Sequence, residues 1–200
     1  MHLNNFVEVC DGVLSESQCE SIIEKFDNEP NRIDAGVCKH QKYIQDDLSI
    51  KCQEFYINNS ESWESTSRLL YDTVGKLFTQ YVLKHEDFIG RILKESVQDS
   101  GYVISKYEKG QGHFSWHSDT GVEATREFEG NNRILAMIIY LNDVRVGGAT
   151  EFKWKTSCSA KTGRALIFPA TWEFVHRGQI PQSDDKYIVT TFIGQKMPLY

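Results

Sequence analysis

At 200 residues, with 40% apolar and 25% charged residues, the chain suits one soluble domain with a substantial core. A net charge of −6 and the lack of a dense Lys/Arg cluster argue against a nucleic-acid partner, whose phosphates call for a basic surface. No apolar run nears the length of a bilayer span, and Met1-His2-Leu3-Asn4-Asn5 lacks the regions of a signal peptide, so neither a membrane nor a secretory route is expected.

Phe6 to Val13 alternates apolar residues and reads as a short strand or extended segment. Ser15-Glu16-Ser17-Gln18 is a capping-box pattern, so a helix should start at Ser15 and carry Cys19, Ile22, Ile23 and Phe26 on its apolar face before ending at Asn28 to Asn31. Arg32 to Asn59 is polar and weakly periodic, a loop with one strand at Gln53 to Ile57 that stands at the edge of a substrate site or merely on the surface. Trp63, Leu69, Leu70, Val74, Leu77, Phe78 and Val82 recur at helical spacing, which predicts the longest helix from near Ser60 to near His85, packed outside a sheet. The cysteines Cys10, Cys19, Cys38, Cys52 and Cys158 are odd in number and lack CxxC spacing, so free thiols in a reducing cytoplasm are expected.

From Val97 the periods shorten toward two. Gly101 to Tyr107, Arg133 to Leu141, Thr150 to Trp154, Arg164 to Phe168, Glu173 to His176 and Lys186 to Ile193 read as strands, separated by glycine-rich turns. Helices first and then regularly spaced strands predict an α+β, mainly β, architecture: a jelly roll backed by N-terminal helices. No linker divides the chain, so 1–200 is read as a single domain, with 1–96 as helical support and substrate-edge loops and 97–196 as the jelly-roll core.

His117-Ser118-Asp119 places two candidate ligands at i and i+2, which share one side of an extended chain. His176 adds a second imidazole from a distant segment. Two imidazoles and one carboxylate are the set that holds a non-haem Fe(II) on one face and leaves the other open. A lone HxD is weak, and His176 alone reads as a core histidine; the combination with a later lysine carries the weight. His113 is set aside as a ligand. Lys186, Ile188, Thr190 and Phe192 share one strand face, and a lysine turned inward there needs an anion beside it.

At these residues the sequence resembles the Fe(II)- and 2-oxoglutarate-dependent dioxygenases, most closely the prolyl 4-hydroxylase-like group. The similar stretches run in the family's order: Tyr107 to Gln111, His117-Ser118-Asp119, Tyr140 to Asp143, Gly147 to Phe152, Gly163 to Pro169, then His176 and Lys186. The resemblance implies a double-stranded β-helix with the metal inside one mouth. It implies His117, Asp119 and His176 as the catalytic iron ligands. Lys186 would pair with the distal carboxylate of 2-oxoglutarate, Tyr107 and Tyr140 would line that pocket, Tyr140 through its hydroxyl, and Thr190 is a further candidate for binding. The implied reaction hydroxylates a C–H bond with O2, releasing succinate and CO2, and admits ascorbate as an auxiliary reductant. A carboxylate at Asp119 favours hydroxylation over halogenation.

The substrate is not written in these residues. Thr120 to Asn132, with Arg126 and acidic Glu123, Glu127 and Glu129, is placed to be a lid, and Trp116 and Trp172 to form a wall for a proline ring or peptide. Lys153, Arg145 and Arg177 are possible contacts to a peptide backbone or anionic substrate. Three readings stand: a hydroxylase of peptidyl proline, a hydroxylase of a free amino acid or other small molecule, and a non-catalytic sensor that binds metal and 2-oxoglutarate.

Overall fold

The computed structural model describes residues 3–39, 42–88, 97–120 and 131–196. In chain order it has β1 (Glu8–Cys10), α1 (Glu16–Asp27), β2 (Ile33–Asp34), β3 (Val37–Lys39), β4 (Lys42–Ile44), β5 (Ile50–Lys51), β6 (Gln53–Tyr56) and α2 (Glu64–Lys84). There follow β7 (Val97–Asp99), β8 (Val103–Tyr107), β9 (His113–His117), β10 (Asn131–Tyr140), β11 (Thr150–Phe152), β12 (Ser157–Cys158), β13 (Arg164–Pro169), β14 (His176–Gly178) and β15 (Lys186–Lys196). No described helix is long and apolar enough to cross a membrane.

The capping box forms as expected. The Ser15 hydroxyl accepts from the Gln18 amide at 3.2 Å, and the Gln18 side chain accepts from the Ser15 amide at 2.8 Å. Each satisfies a donor that the helix start would otherwise leave bare. Cys19, Ile22 and Phe26 are buried beneath the helix. The long helix begins later than expected, because Glu61–Trp63 forms a separate 3-10 turn. That tighter turn carries Trp63 fully into the core, where its indole N–H donates to Glu29 at 2.9 Å.

All strand pairings are antiparallel. The large sheet runs β1-β13-β10-β15-β8-β6-β2, with β7 beside β15, and the small sheet runs β12-β11-β14-β9-β5. Alternation along the central strands divides two cores between the sheet's faces. Leu135, Met137 and Ile139 of β10, with Ala165, Ile167, Tyr187 and Val189, join α1 and α2 on one side. Ala136, Ile138 and Tyr140, with Leu166, Phe168 and Ile188, face the small sheet on the other. A strand buried on both faces reads as the continuous apolar run seen at Ile134 to Leu141. The layers are therefore helices, large sheet, small sheet, and the last two make the jelly roll.

Two expectations need correction. Residues 1–96 do more than back the jelly roll, since β1, β2 and β6 complete the large sheet and β5 the small one. The strand expected from Glu173 is a 3-10 turn over Trp172–Phe174, with β14 starting only at His176. The short strand expected within Phe6 to Val13 is β1, preceded by a 3-10 turn at Leu3–Phe6. Of the expected lid, residues 121–130, including Glu123, Arg126, Glu127 and Glu129, lie outside the described residues.

Ser15→Ala removes the acceptor for Gln18 and should cost about 1 kcal/mol of stability. Urea denaturation would show this as a lower midpoint with an unchanged slope, and an unchanged midpoint would remove the cap from the account of α1.

Candidate active site

His117 is aimed by a defect in its strand. β14 pairs His176 with His117 and Gly178 with Phe114, so β9 advances three residues while β14 advances two. That extra residue is a β-bulge, a device that re-aims side chains beside functional sites. It turns Phe114 and His117 to one side, where their rings stack with centroids 3.5 Å apart. His176 arrives from the small sheet with its ring held edge-on against Phe168, at 4.8 Å between centroids. Asp119 sits in the bend just beyond β9.

Backbone carbonyls fix both imidazoles. His117 Nδ1 lies 2.8 Å from the Ser115 carbonyl, and His176 Nδ1 lies 2.9 Å from the Phe174 carbonyl. A carbonyl only accepts, so each Nδ1 carries the hydrogen and each Nε2 keeps its lone pair. Those two Nε2 atoms face the Asp119 carboxylate at 3.5 and 3.7 Å. Such separations are too long for good hydrogen bonds, yet all three ligand atoms lie within 4.8 Å of one another. Adjacent ligands on an ion with bonds of about 2.1 Å stand about 3 Å apart. The residues thus fit a divalent metal: two lone pairs and a carboxylate converge, and the outer nitrogens are oriented by carbonyls as in known sites.

The electrostatics agree. Burial lowers the His176 pKa, outweighing the attraction of Asp119, so the neutral form that ligates metals prevails at neutral pH. Burial works against the ionised Asp119, but the imidazoles of His176 and His117 and the Arg133 guanidinium hold its pKa below the ordinary value. Arg133 Nη1 also donates to the Asp119 carbonyl at 3.2 Å, and its guanidinium covers the Phe192 ring at 3.8 Å. Arg133 went unnoticed in the sequence because it reads as the polar start of an apolar strand.

Lys186 faces the same interior and is only 2% exposed. Its Nζ lies 5.3 Å from the Tyr107 ring centroid and 5.5 Å from that of Tyr140. Among the described residues, no carboxylate or carbonyl bonds it. Burial pulls its pKa down to about 8. A Cβ at Gly178 would lie 4.0 Å from Nζ, so the missing side chain leaves room beside the ammonium.

Other expected residues take different places. Tyr140 is fully buried, but its hydroxyl donates to Thr150 Oγ1 at 2.7 Å rather than standing free for a carboxylate. Thr190 shares the Lys186 face but lies about 13 Å along the strand, beyond Ile188. Trp116 is not a wall of the site. It lies under Lys153 and Arg177, at 4.2 and 4.7 Å, and Arg177 alternates with inward-facing His176 and so occupies the outer face. Trp172 is 73% exposed. His113 stands apart, with Nδ1 at 3.0 Å from the Gln111 carbonyl.

Residues 102–194 match the model of the 2OG-Fe(II) oxygenase superfamily. That segment, just under half of the chain, is similar to this superfamily. No curated protein matches the chain. Among solved structures, the viral collagen prolyl hydroxylase of Paramecium bursaria Chlorella virus-1, in its 2OG complex, is similar at 18% identity and a TM-score of 0.63, covering 95% of this chain and 96% of that one. A prolyl hydroxylase from Trichoplax adhaerens, in complex with a hypoxia inducible factor peptide fragment, is similar at 14% identity and a TM-score of 0.72, covering 96% and 86%. A prolyl-4-hydroxylase from Pseudomonas putida is similar at 14% identity and a TM-score of 0.65, covering 94% and 91%. Identities this low speak for the fold, a double-stranded β-helix.

Lys186 is a buried cation of this chamber without a bonded anion among the described residues, so binding of a dicarboxylate such as 2-oxoglutarate should depend on its charge. Below a pH of about 8 the lysine is protonated and binding is at full strength; above it, affinity should fall toward tenfold per pH unit. Titration calorimetry of 2-oxoglutarate from pH 6.5 to 9.5 reads this directly. Lys186→Ala should bind more weakly at neutral pH with a flat profile, and a flat wild-type profile would remove Lys186 from the anion site.

Proposed function

We propose that the protein hydroxylates a peptidyl proline, with 2-oxoglutarate and O2 as co-substrates and succinate and CO2 as co-products. The observation that carries this reading is a buried ammonium with no bonded anion among the described residues, set in the same chamber as two imidazole lone pairs that converge on a carboxylate. A dicarboxylic keto acid bridging a metal and a lysine supplies both missing charges. The structures of like fold named above are prolyl hydroxylases, which supports a prolyl substrate.

His117, Asp119 and His176 would hold Fe(II) on one side and leave its other side toward the chamber. The bound metal would supply the redox chemistry that couples oxygen to decarboxylation of the keto acid. The chain's own share is geometric and electrostatic. The Ser115 and Phe174 carbonyls prevent the imidazoles from turning their Nδ1 atoms inward. Lys186 draws in the distal carboxylate, and the Tyr107 and Tyr140 rings keep water from the ammonium. Phe114, Phe152 and Phe168 pack the ligand rings and exclude solvent from that side. Thr150 accepts from the Tyr140 hydroxyl and so fixes the far end of that side chain.

A reducing, cytoplasmic setting belongs to this reading and is supported by Cys10, Cys19, Cys52 and Cys158, which are all free thiols. Ascorbate would then be available to restore ferrous iron after unproductive turnover.

His176→Ala and Asp119→Ala should each cut iron-dependent succinate formation by at least a hundredfold while circular dichroism stays native. Chelation should abolish wild-type turnover, and added Fe(II) should restore it. A proline-containing peptide should raise succinate release and gain one oxygen in mass. Gain of oxygen on free amino acids alone would move the substrate to the small-molecule class, and wild-type turnover in either variant would refute the ligand set.

A further inference from the structure

Glu54 carries a carboxyl that the chemistry above leaves unused. It lies on β6 with Cys52 and Tyr56 on its own side, and it pairs with Ser105 of β8, which pairs with Ile188 of β15. Ile188 is the next inward residue after Lys186, so Glu54 stands on the chamber side of the sheet, one row along and two strands across from the lysine. Tyr56, one row further, lies within the electrostatic reach of Arg133, whose side chain meets Asp119. Glu54 is therefore placed between the two ends of the proposed site.

Its surroundings are unusual for a carboxyl. Its neighbours are the Tyr56 hydroxyl at 3.5 Å, the Ser105 hydroxyl at 3.5 Å and the Cys52 thiol at 3.9 Å. All three stand at or beyond the outer limit of a hydrogen bond. Among the described residues, no cation meets it. The side chain is largely surrounded by protein and keeps partial access to solvent. Burial lifts its pKa to about 7. A carboxyl held this way is costly unless a donor completes it. Gln53 and Phe55 point to the other side of the same strand, so an apolar residue at 54 would serve packing alone equally well.

We propose that Glu54 is a specificity-determining residue that receives a cationic nitrogen of the substrate. The preferred substrate thus brings an ammonium or guanidinium close to its reacting carbon. A basic side chain beside the target proline of a peptide would provide it, as would the α-ammonium of a free amino acid. A plain peptidyl proline ring has no N–H and cannot. The inference rests on the hydroxylase reading and refines its substrate class.

The test uses pairs of probes in which one member carries that charge and the other does not: peptides with lysine or norleucine beside proline, and free proline or its N-acetyl form. Binding to the full chain loaded with Mn(II) and 2-oxoglutarate is followed by calorimetry, and kcat and KM by mass gain with Fe(II). Wild type should favour the cationic member of one pair at least tenfold in Kd, and the pair that shows it identifies the source. Glu54→Gln, which keeps the shape, should bring that ratio below about twofold, chiefly through KM, and Glu54→Asp should retain part of it. Equal binding of both members in wild type, or an undiminished ratio in Glu54→Gln, overturns the proposal. Hydroxylation of no proline peptide would overturn the function proposed above and leave the binding ratio to judge Glu54.

Discussion

Lys186 and Asp119 each bring a charged group into a space that water hardly reaches, and neither meets a full partner within the described chain. An unpaired buried ammonium is among the costliest features a fold carries. The chain tolerates it by surrounding Nζ with the faces of Tyr107 and Tyr140 and by letting its pKa drift down to about 8. Asp119 is offset by imidazoles held a little too far away to hydrogen-bond well. Both deficits vanish together if one metal and one dianionic keto acid enter. Packing in the free protein has thus been traded for a preorganised site.

The layers around this chamber divide their tasks. Helices α1 and α2 touch only the outer face of the large sheet, through the core that holds Phe26, Trp63 and Leu70. Substitutions there act through stability. The inner face supplies the lysine, the tyrosines and Glu54 from strands whose register is fixed by that outer packing, because a one-residue slip would exchange the faces. The small sheet contributes the histidines. The site therefore depends on two sheets meeting correctly, and both helices contribute by fixing the large one.

Much of this was legible from residue order alone. The capping box at Ser15, the apolar period of the long helix and the double-faced run at Ile134 to Leu141 are local patterns, and local patterns survive into the fold. The ligand set was legible because its residue types are chemically restrictive. What escaped was non-local. A bulge in β9 cannot be seen without its partner strand, so simple alternation gives no hint that Phe114 and His117 share a side while Trp116 turns outward under Lys153 and Arg177. The Tyr140 hydroxyl seemed free because Thr150, its acceptor, comes from another strand. Glu54 lay in a stretch whose period was too weak to assign a face, and only pairing with Ser105 shows which way it looks.

The polarity of the chamber bears on what can enter it. One row holds the Lys186 ammonium and the next the Glu54 carboxyl, on strands of the same sheet that β8 separates. These groups do not neutralise each other, since no bond joins them and burial shifts both toward their uncharged forms. Two opposite groups kept apart on one wall make poor packing but a good filter. On the proposed reading, a dianion would be drawn to the lysine and repelled by Glu54 once ionised, which would hold it at its own end. A cationic substrate would be drawn to the other end and kept clear of the co-substrate's anchor. Two ligands that must bind together would then be sorted by sign before any shape recognition begins.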